Sequence, residues 1–509
     1  MSAAWRGLGA AFHRHAVPRL VAAFAVGSAL NLAFAPFGWW PVAVLAPAAL
    51  FALIRGLPPR RAAWAGAAFG VGLFACGTYW LYTSLHGFGG VPVWLTIVLQ
   101  TALVAAMAAY PAALCYLANR FWLKPGITRD WLALPALWVL LEWLRGWVLS
   151  GFPWLSLGYA FSDAPLAGWA PIVGVYGVSW AAALAAVAVN VMGARQMRPL
   201  GRVLAGGGLV ALFLIPVGLS RHAWTRAVDG PIPVAAVQGN VSQDQKWQRN
   251  NLDATLSRYA TLTTGAWGAH LIVWPESALP VLANDIPDYL RRLGDDARTH
   301  DADLAIGLLT YVPATHQYFN GLLVMSRSGG GWYYKRHLVP FGEYFPVPAF
   351  IRSWMRLMSL PYDDISAGSE HQPALRAAGQ TLGLTICYED AYGSKQLAVL
   401  KDATLLINVT NDAWFGDSTA SHQHLQIARM RALEAGRYMI IAANDGITAV
   451  IDGRGTVTAL LPRFQQAVLR ADVQPMTGLT PYARLGNVPV VLGAFVLLAV
   501  GVWRRRRVD

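Results

Sequence analysis

Long apolar runs fill both ends of the chain and are missing from its middle. Seven precede residue 220, at roughly 17–35, 41–55, 62–82, 92–118, 131–149, 164–192 and 203–219, and an eighth runs 487–503. A helix needs about 20 apolar residues to cross a bilayer. Most of the runs meet that length, and 41–55 is the weakest. They predict a polytopic α-helical membrane domain. The first run alone would also suit a cleaved signal peptide, but six more follow it directly and no clear small-residue cleavage site precedes a soluble domain.

Between roughly 232 and 475 the pattern becomes short apolar runs alternating with helical spacing. VAAVQ (234–238), HLIVW (270–274), DLAIGLL (303–309), GLLVM (321–325), LGLTIC (382–387), TLLINV (404–409) and MIIAAN (439–444) predict buried strands. DYLRRLGDDART (288–299) and HLQIARMRALEAGRY (424–438) predict helices, and ITAVIDGRGTVTALL (447–461) a hairpin turning at Asp452–Gly453. RHAWTRAVDGPIP (221–233) reads as a linker into this α/β domain. The expected division is 1–220 as seven transmembrane helices, 221–485 as the α/β domain with its linkers, and 486–509 as an eighth helix with a basic tail.

Composition agrees: 55% of residues are hydrophobic, 13% are charged, and mean hydropathy is +0.40. A net charge of +13 could suggest nucleic acid, but its placement argues otherwise. Arg6, Arg14 and Arg19 precede the first run; Arg55, Arg60 and Arg61 follow the second. Arg120, Lys124 and Arg129 follow the fourth, Arg195, Arg198 and Arg202 the sixth, and RRRR (504–507) the eighth. The alternate connections, such as TSLHGFGGVP (83–92), are nearly free of Lys and Arg. This positive-inside pattern predicts cytoplasmic termini and an extracytoplasmic central domain.

Candidate chemistry sits at predicted strand ends, where α/β sheets gather ligand sites. LIVWPESALP leaves the sheet at Pro275 and delivers Glu276. GWYYKRHLVPFGEYFP delivers Lys335 and, eight residues on, Glu343. LTICYED delivers Cys387, with Glu389 and Asp390 close behind. Of the three cysteines, Cys76 and Cys115 fall in apolar runs, so Cys387 is the lone thiol of the central domain and no disulfide framework or zinc spacing exists. Each residue has a plain reading when taken singly. Cys387 would be a buried structural thiol, Glu276 a cap for the next segment, and Lys335, beside Arg336 and His337, part of a solvated basic face. Their joint order points to chemistry.

That order resembles the Glu-Lys-Cys triad of the nitrilase superfamily of carbon–nitrogen hydrolases. YKRHLVPFGEYFP (334–346), ICYED (386–390), NVTNDAWFGDS (408–418) and HQHLQIARMRALEAGRY (422–438) more particularly resemble the apolipoprotein N-acyltransferase family, as does the eight-span layout. One departure is Ile441, where that family commonly carries Arg shortly before the Asn-Gly segment; it puts contacts near Asn444 in question. The resemblance implies a multi-pass protein of the bacterial inner membrane whose α-β-β-α sandwich lies on the periplasmic side, acting as a monomer without metal or organic cofactor. It implies ping-pong transfer of an acyl chain, typically sn-1 of phosphatidylethanolamine, to the α-amine of an S-diacylglyceryl-cysteine at a lipoprotein N-terminus. Cys387 would form the thioester, Glu276 would move protons, and Lys335 with the Tyr388 backbone N–H would face the oxyanion. Glu343 would position Lys335, and Glu389 would hold the loop.

Both substrates would be lipids. Trp414 and Phe415 in DAWFGD, and Trp247 in QDQKWQ, are candidate lipid-facing side chains, with core packing the alternative for the first two. Glu142 and Arg145 at the end of the fifth run would form an (i, i+3) pair or meet a headgroup. A membrane-anchored amidase using the same triad on a small substrate leaves the eight-span body unexplained. A transporter with an accessory domain would leave the triad idle, and its spans carry few ionisable residues.

Overall fold

The structure is a computed structural model and describes residues 17–194, 198–246, 249–340, 342–344 and 365–506. Trp247 lies outside the described residues. The chain divides into two compact units, one made of the residues up to His222 and from Leu485 on, the other spanning Ala223–Arg484.

The first unit is helical, with a helix in each predicted apolar run. They are Val17–Ala33, Val42–Leu53, Pro59–Gly77, Val93–Phe121, Leu134–Arg145, Pro165–Gly193, Pro199–Leu219 and Val488–Arg506. Val93–Phe121, Pro165–Gly193 and Pro199–Leu219 are long and apolar enough to cross a membrane; Val17–Ala33, Val42–Leu53 and Val488–Arg504 are shorter apolar helices. The fifth differs from expectation: its α-helix is 12 residues, extended at its start by a wider turn over Ile127–Ala133. Along Pro199–Leu219 only Ala205 and Pro216 are buried, while Leu200, Val203 and Leu204 are all at least 67% exposed. Each large apolar side chain so exposed forgoes about 1.5–3 kcal/mol in water, so hydrocarbon is the solvent that suits this face. Gly66 shows the close helix packing of such a domain: a Cβ there would lie 2.3 Å from the Pro111 carbonyl oxygen.

Glu142 and Arg145 are both buried, attract each other electrostatically, and each also hydrogen-bonds the 152–157 segment. Glu142 Oε1 accepts from Leu157 N at 2.8 Å and Trp138 Nε1 at 3.0 Å. Arg145 donates to the carbonyls of Phe152 and Trp154 and to Ser156 Oγ.

The second unit contains fourteen strands among its described residues. They are β1 (Arg226–Ala227), β2 (Ile232–Gln238), β3 (Leu271–Val273), β4 (Asp303–Val312), β5 (Gln317–Met325), β6 (Gly331–Tyr334) and β7 (Leu375–Ala377), then β8 (Gln380–Ile386), β9 (Leu405–Thr410), β10 (Met439–Ala443), β11 (Ala449–Ile451), β12 (Val457–Leu460), β13 (Ala467–Val473) and β14 (Met476–Thr477). One sheet has the order β13-β2-β3-β4-β5-β6, the other β12-β11-β10-β9-β8-β7. In each, three central strands are parallel: β2, β3, β4 and β8, β9, β10. β1 pairs with β14, so part of the expected linker is a short ladder.

Strand alternation builds three layers of contact. Val234, Ala236 and Val273 of the first sheet meet Leu384, Ile407 and Ile440 of the second in the central core. Ala235, Val237 and Ile272 point the other way, onto Tyr259 and Leu262 of helix Leu252–Thr264 and Leu293 of helix Pro287–Thr299. Leu406, Met439 and Ile441 pack against Ala428 and Ala432 of helix Ala420–Ala435. This is the expected α-β-β-α sandwich. Ile441 is therefore a packing residue under that helix, and Asn444 has its own partners: its side chain bonds Val241 N and O and Asn411 Oδ1.

Helix 420–435 begins and ends earlier than predicted, stopping at Gly436 with φ +61°, a left-handed cap that glycine adopts at no steric cost. The hairpin turn is also wider than Asp452–Gly453. Asp452 Oδ1 accepts from the N–H groups of Arg454 and Thr456, and Gly455 carries the positive φ.

Candidate active site

The chain leaves β3 at Val273 and turns at Pro275, bringing Glu276 over the sheet end. Gly307 on β4 makes room: a Cβ there would lie 2.2 Å from the Pro275 carbonyl oxygen. Lys335 follows β6 directly, and its backbone N–H donates to Asn320 O at 2.9 Å. The two side chains meet in a buried cluster. Lys335 Nζ, 1% exposed, lies 3.1 Å from Glu276 Oε1 and 3.0 Å from Glu343 Oε1. Asn320 Nδ2 donates to the same two oxygens, at 2.7 and 2.8 Å. The remaining oxygens are held by backbone, Glu276 Oε2 by Asn411 N and Glu343 Oε2 by Val339 N.

One ammonium thus sits between two carboxylates. Burial works against its charge, but Glu276, Glu343 and Cys387 outweigh that and hold Lys335 well above the usual lysine range. It is a fixed cation, not the member of a solvated face.

Cys387 follows β8, on the other sheet, and has φ +52°. A left-handed backbone at a residue with a side chain is strained, by about 1–3 kcal/mol, and persists only where the surroundings impose it. Here they do. The Cys387 carbonyl accepts from Asn408 Nδ2 at 3.0 Å and lies 3.3 Å from His424 Nε2. The chain then winds into a short 3-10 turn over Cys387–Ala391. Burial and Glu276 push the Cys387 thiol up to about 12, against the opposing pull of Lys335 and His424. At neutral pH the thiolate is then on the order of one molecule in 10⁵, so attack on a carbonyl requires a base.

The two acids after Cys387 each have a structural task. Glu389 is 1% exposed and receives four donors: Arg336 N and His337 N on Oε1, Ile386 N and Tyr333 Oη on Oε2. It ties the Lys335 loop to the Cys387 strand end. Asp390 Oδ1 lies 3.0 Å from His424 Nε2. Tyr388 is half-buried, its ring edge-on to Tyr392 at 5.1 Å.

The structure therefore brings Glu276, Lys335 and Glu343 into contact, with Cys387 in their electrostatic reach and Glu389 bracing both sides. Trp414 and Phe415 lie on a short 3-10 turn, Asp412–Phe415, half-buried and outside the hydrophobic clusters. Sequence reasoning missed Asn320, Asn408, Asn411, His424 and Lys246. The last is fully buried, and burial pushes it down to about 8 despite Glu276 and Asp445. Among the described residues no group of three His, Cys, Asp or Glu side chains is placed to hold a metal ion.

A sandwich with an acid, a lysine and a thiol at its strand ends defines the catalytic unit as nitrilase-like. Residues 233–482 match the carbon–nitrogen hydrolase family, and residues 26–188 match the apolipoprotein N-acyltransferase N-terminal domain. Apolipoprotein N-acyltransferase from Azotobacter vinelandii is 43% identical over 96% of this chain and 96% of that protein. Those of Pseudomonas putida and Methylococcus capsulatus are 42% and 40% identical, each over 94% of this chain and at least 95% of the relative. An amidase structure from Nesterenkonia sp. is 18% identical, with a TM-score of 0.35, over 52% of this chain and 97% of that one. The chain belongs to the apolipoprotein N-acyltransferase family. It is accordingly an enzyme, an acyltransferase built on a membrane domain and a nitrilase-like domain.

Proposed function

We propose that the protein moves an acyl chain from a membrane phospholipid, the sn-1 chain of phosphatidylethanolamine, to the α-amine of an S-diacylglyceryl-cysteine on a lipoprotein. The observation that carries this reading is the buried Glu276–Lys335–Glu343 cluster beside the strained Cys387 turn, in a chain of this family. Cys387 sulfur attacks the ester carbonyl while Glu276 takes the thiol proton. Lys335 and the Tyr388 N–H stabilise the oxyanion. The tetrahedral intermediate collapses, Glu276 protonates the departing lysophospholipid oxygen, and a thioester remains. In the second half Glu276 takes a proton from the acceptor amine, nitrogen attacks the thioester, and the sulfur leaves and regains a proton. Burial of the thiol supports this sequence, because a group held protonated gains most from a nearby base.

Purified protein given labelled phospholipid and a diacylglyceryl-cysteine peptide yields triacylated peptide and lysophospholipid in equal amounts. Hydrolysis of a small amide with no peptide acylation would instead identify a membrane-anchored amidase.

The basic connections support eight spans, cytoplasmic termini and a periplasmic catalytic unit in the inner membrane. Reporter fusions at 58, 126 and 506 should read cytoplasmic and one at 240 extracytoplasmic. A cytoplasmic signal at 240 would remove the proposed location of catalysis.

A further inference from the structure

Behind Cys387 lies a second charged cluster that the proposed reaction does not use. His424 stands on helix Ala420–Ala435, 5% exposed, between two buried carboxylates. Its Nδ1 lies 3.2 Å from Asp412 Oδ1 and its Nε2 lies 3.0 Å from Asp390 Oδ1. Nε2 also lies 3.3 Å from the Cys387 carbonyl oxygen. Asp390 is 0% and Asp412 3% exposed. All three partners are acceptors. A neutral imidazole would set a lone pair against one carboxylate, whereas an imidazolium donates on both sides. Thr410 Oγ1 gives Asp412 Oδ1 a further donor at 2.9 Å.

We propose that His424 is a permanently protonated positioning residue: an imidazolium clamped by Asp390 and Asp412 that, together with Asn408, grips the Cys387 carbonyl, enforces its left-handed turn and lends the thiol a buried positive charge. This rests on the reading of Cys387 as nucleophile, but concerns the turn and charge that prepare it. It also explains why an acid follows the thiol so closely. Asp390 holds the histidine, and the histidine charge opposes the suppression of the thiolate by burial, Glu276 and Asp412. Burial pulls His424 down, but Asp390 and Asp412 outweigh it and hold it well above the ordinary histidine range. The charged groups that act most on the sulfur are then Glu276 and Lys335, from the first sheet's strand ends, and Asp412 and His424, from the second sheet's side.

The test is the reactivity of Cys387 in the full-length, lipid-embedded protein. Iodoacetamide labelling is read on the Cys387 peptide by mass spectrometry, which excludes Cys76 and Cys115. In His424→Gln two carboxylates lose their counter-ion, so the alkylation profile should move about one pH unit upward. At pH 8 that is a tenfold slower reaction. A residue needed only for folding would lower the melting temperature and leave that profile in place. An unchanged profile in a folded His424→Gln protein overturns the proposal. Should the variant not fold, solid-state ¹⁵N spectra of the histidine-labelled wild type decide. At pH 8.5 at least one of the 11 histidines must keep both ring nitrogens protonated, and a spectrum with none overturns the proposal. Neither readout uses a lipid substrate, so both stand apart from the acyl-transfer assay.

Discussion

In the Cys387→Ala protein, labelled phospholipid leaves no acyl group on the chain, and transfer to a diacylglyceryl peptide falls by roughly 10⁴–10⁶. The wild type, given phospholipid alone, becomes heavier by one acyl group, and hydroxylamine removes it as it removes thioesters. Cys387 is the one cysteine in the central domain, and the charges of Glu276 and Lys335 both act on its thiol, as the proposed roles of base and oxyanion partner require. Alanine keeps the backbone and removes only sulfur, so the Asn408 and His424 contacts to the carbonyl have no reason to change. Its melting temperature should match the wild type. An adduct that persists in this variant would place the nucleophile elsewhere.

Replacing Lys335 with methionine should slow acylation of Cys387 by about 10²–10³, or roughly 3–4 kcal/mol. Two losses combine. The oxyanion loses its charged partner, and Glu276 and Glu343, whose Oε1 atoms both face Lys335 Nζ, lose the cation between them. Removing one partner of a buried ion cluster commonly costs 3–5 kcal/mol of stability. A second variant therefore separates folding from chemistry. Lys335→Met combined with Glu343→Gln leaves one buried carboxylate without its cation instead of two, so it should recover part of the stability and remain slow. Lys335→Arg should fail as well, because the wider guanidinium does not fit where one nitrogen meets both carboxylates and Asn320 shares them. Single-turnover acylation, followed by transfer from enzyme loaded over a long incubation, should show both halves slowed. Near-normal acylation by the folded methionine variant would remove Lys335 from the oxyanion.

What the sequence made legible follows from where packing is simple. Strands buried on both faces, such as β9, read as mainly apolar runs, and TLLINV (404–409) predicts β9 to within one residue at each end. β13 was not predicted, because this edge strand sets exposed Arg470 and Asp472 between Leu469, Ala471 and Val473, and so offers a short alternation in place of a continuous apolar run. Helix Leu252–Thr264 was missed for a related reason. It buries Thr255, Tyr259, Leu262 and Thr263, too polar a face to show a stripe. At the site, the charged residues stood out because charge is rare in this chain. Asn320, Asn408 and Asn411 did not, since an amide inside a strand or loop gives no pattern. His424 lay within a correctly recognised helix. That helix is buried nearly all round, so its polar positions could not be sorted into facing solvent or facing the nucleophile until the fold was known.

The placement of the proposed reacting groups on two different sheets makes the interior a measuring device. Glu276 and Lys335 hang from β3 and β6, Cys387 from β8 across the core, and Glu389 reaches back to bridge the gap. Stacked sheets stand about 10 Å apart, and that spacing is set by buried side chains such as Val273, Leu322, Leu384 and Ile407. Misplacement of a reacting atom by about 1 Å can cost 10² in rate. The apolar filling of this sandwich is thus a spacer with a chemical tolerance: shaving or padding it would mistune the distance from carboxylate to sulfur while every residue of the site remained in place.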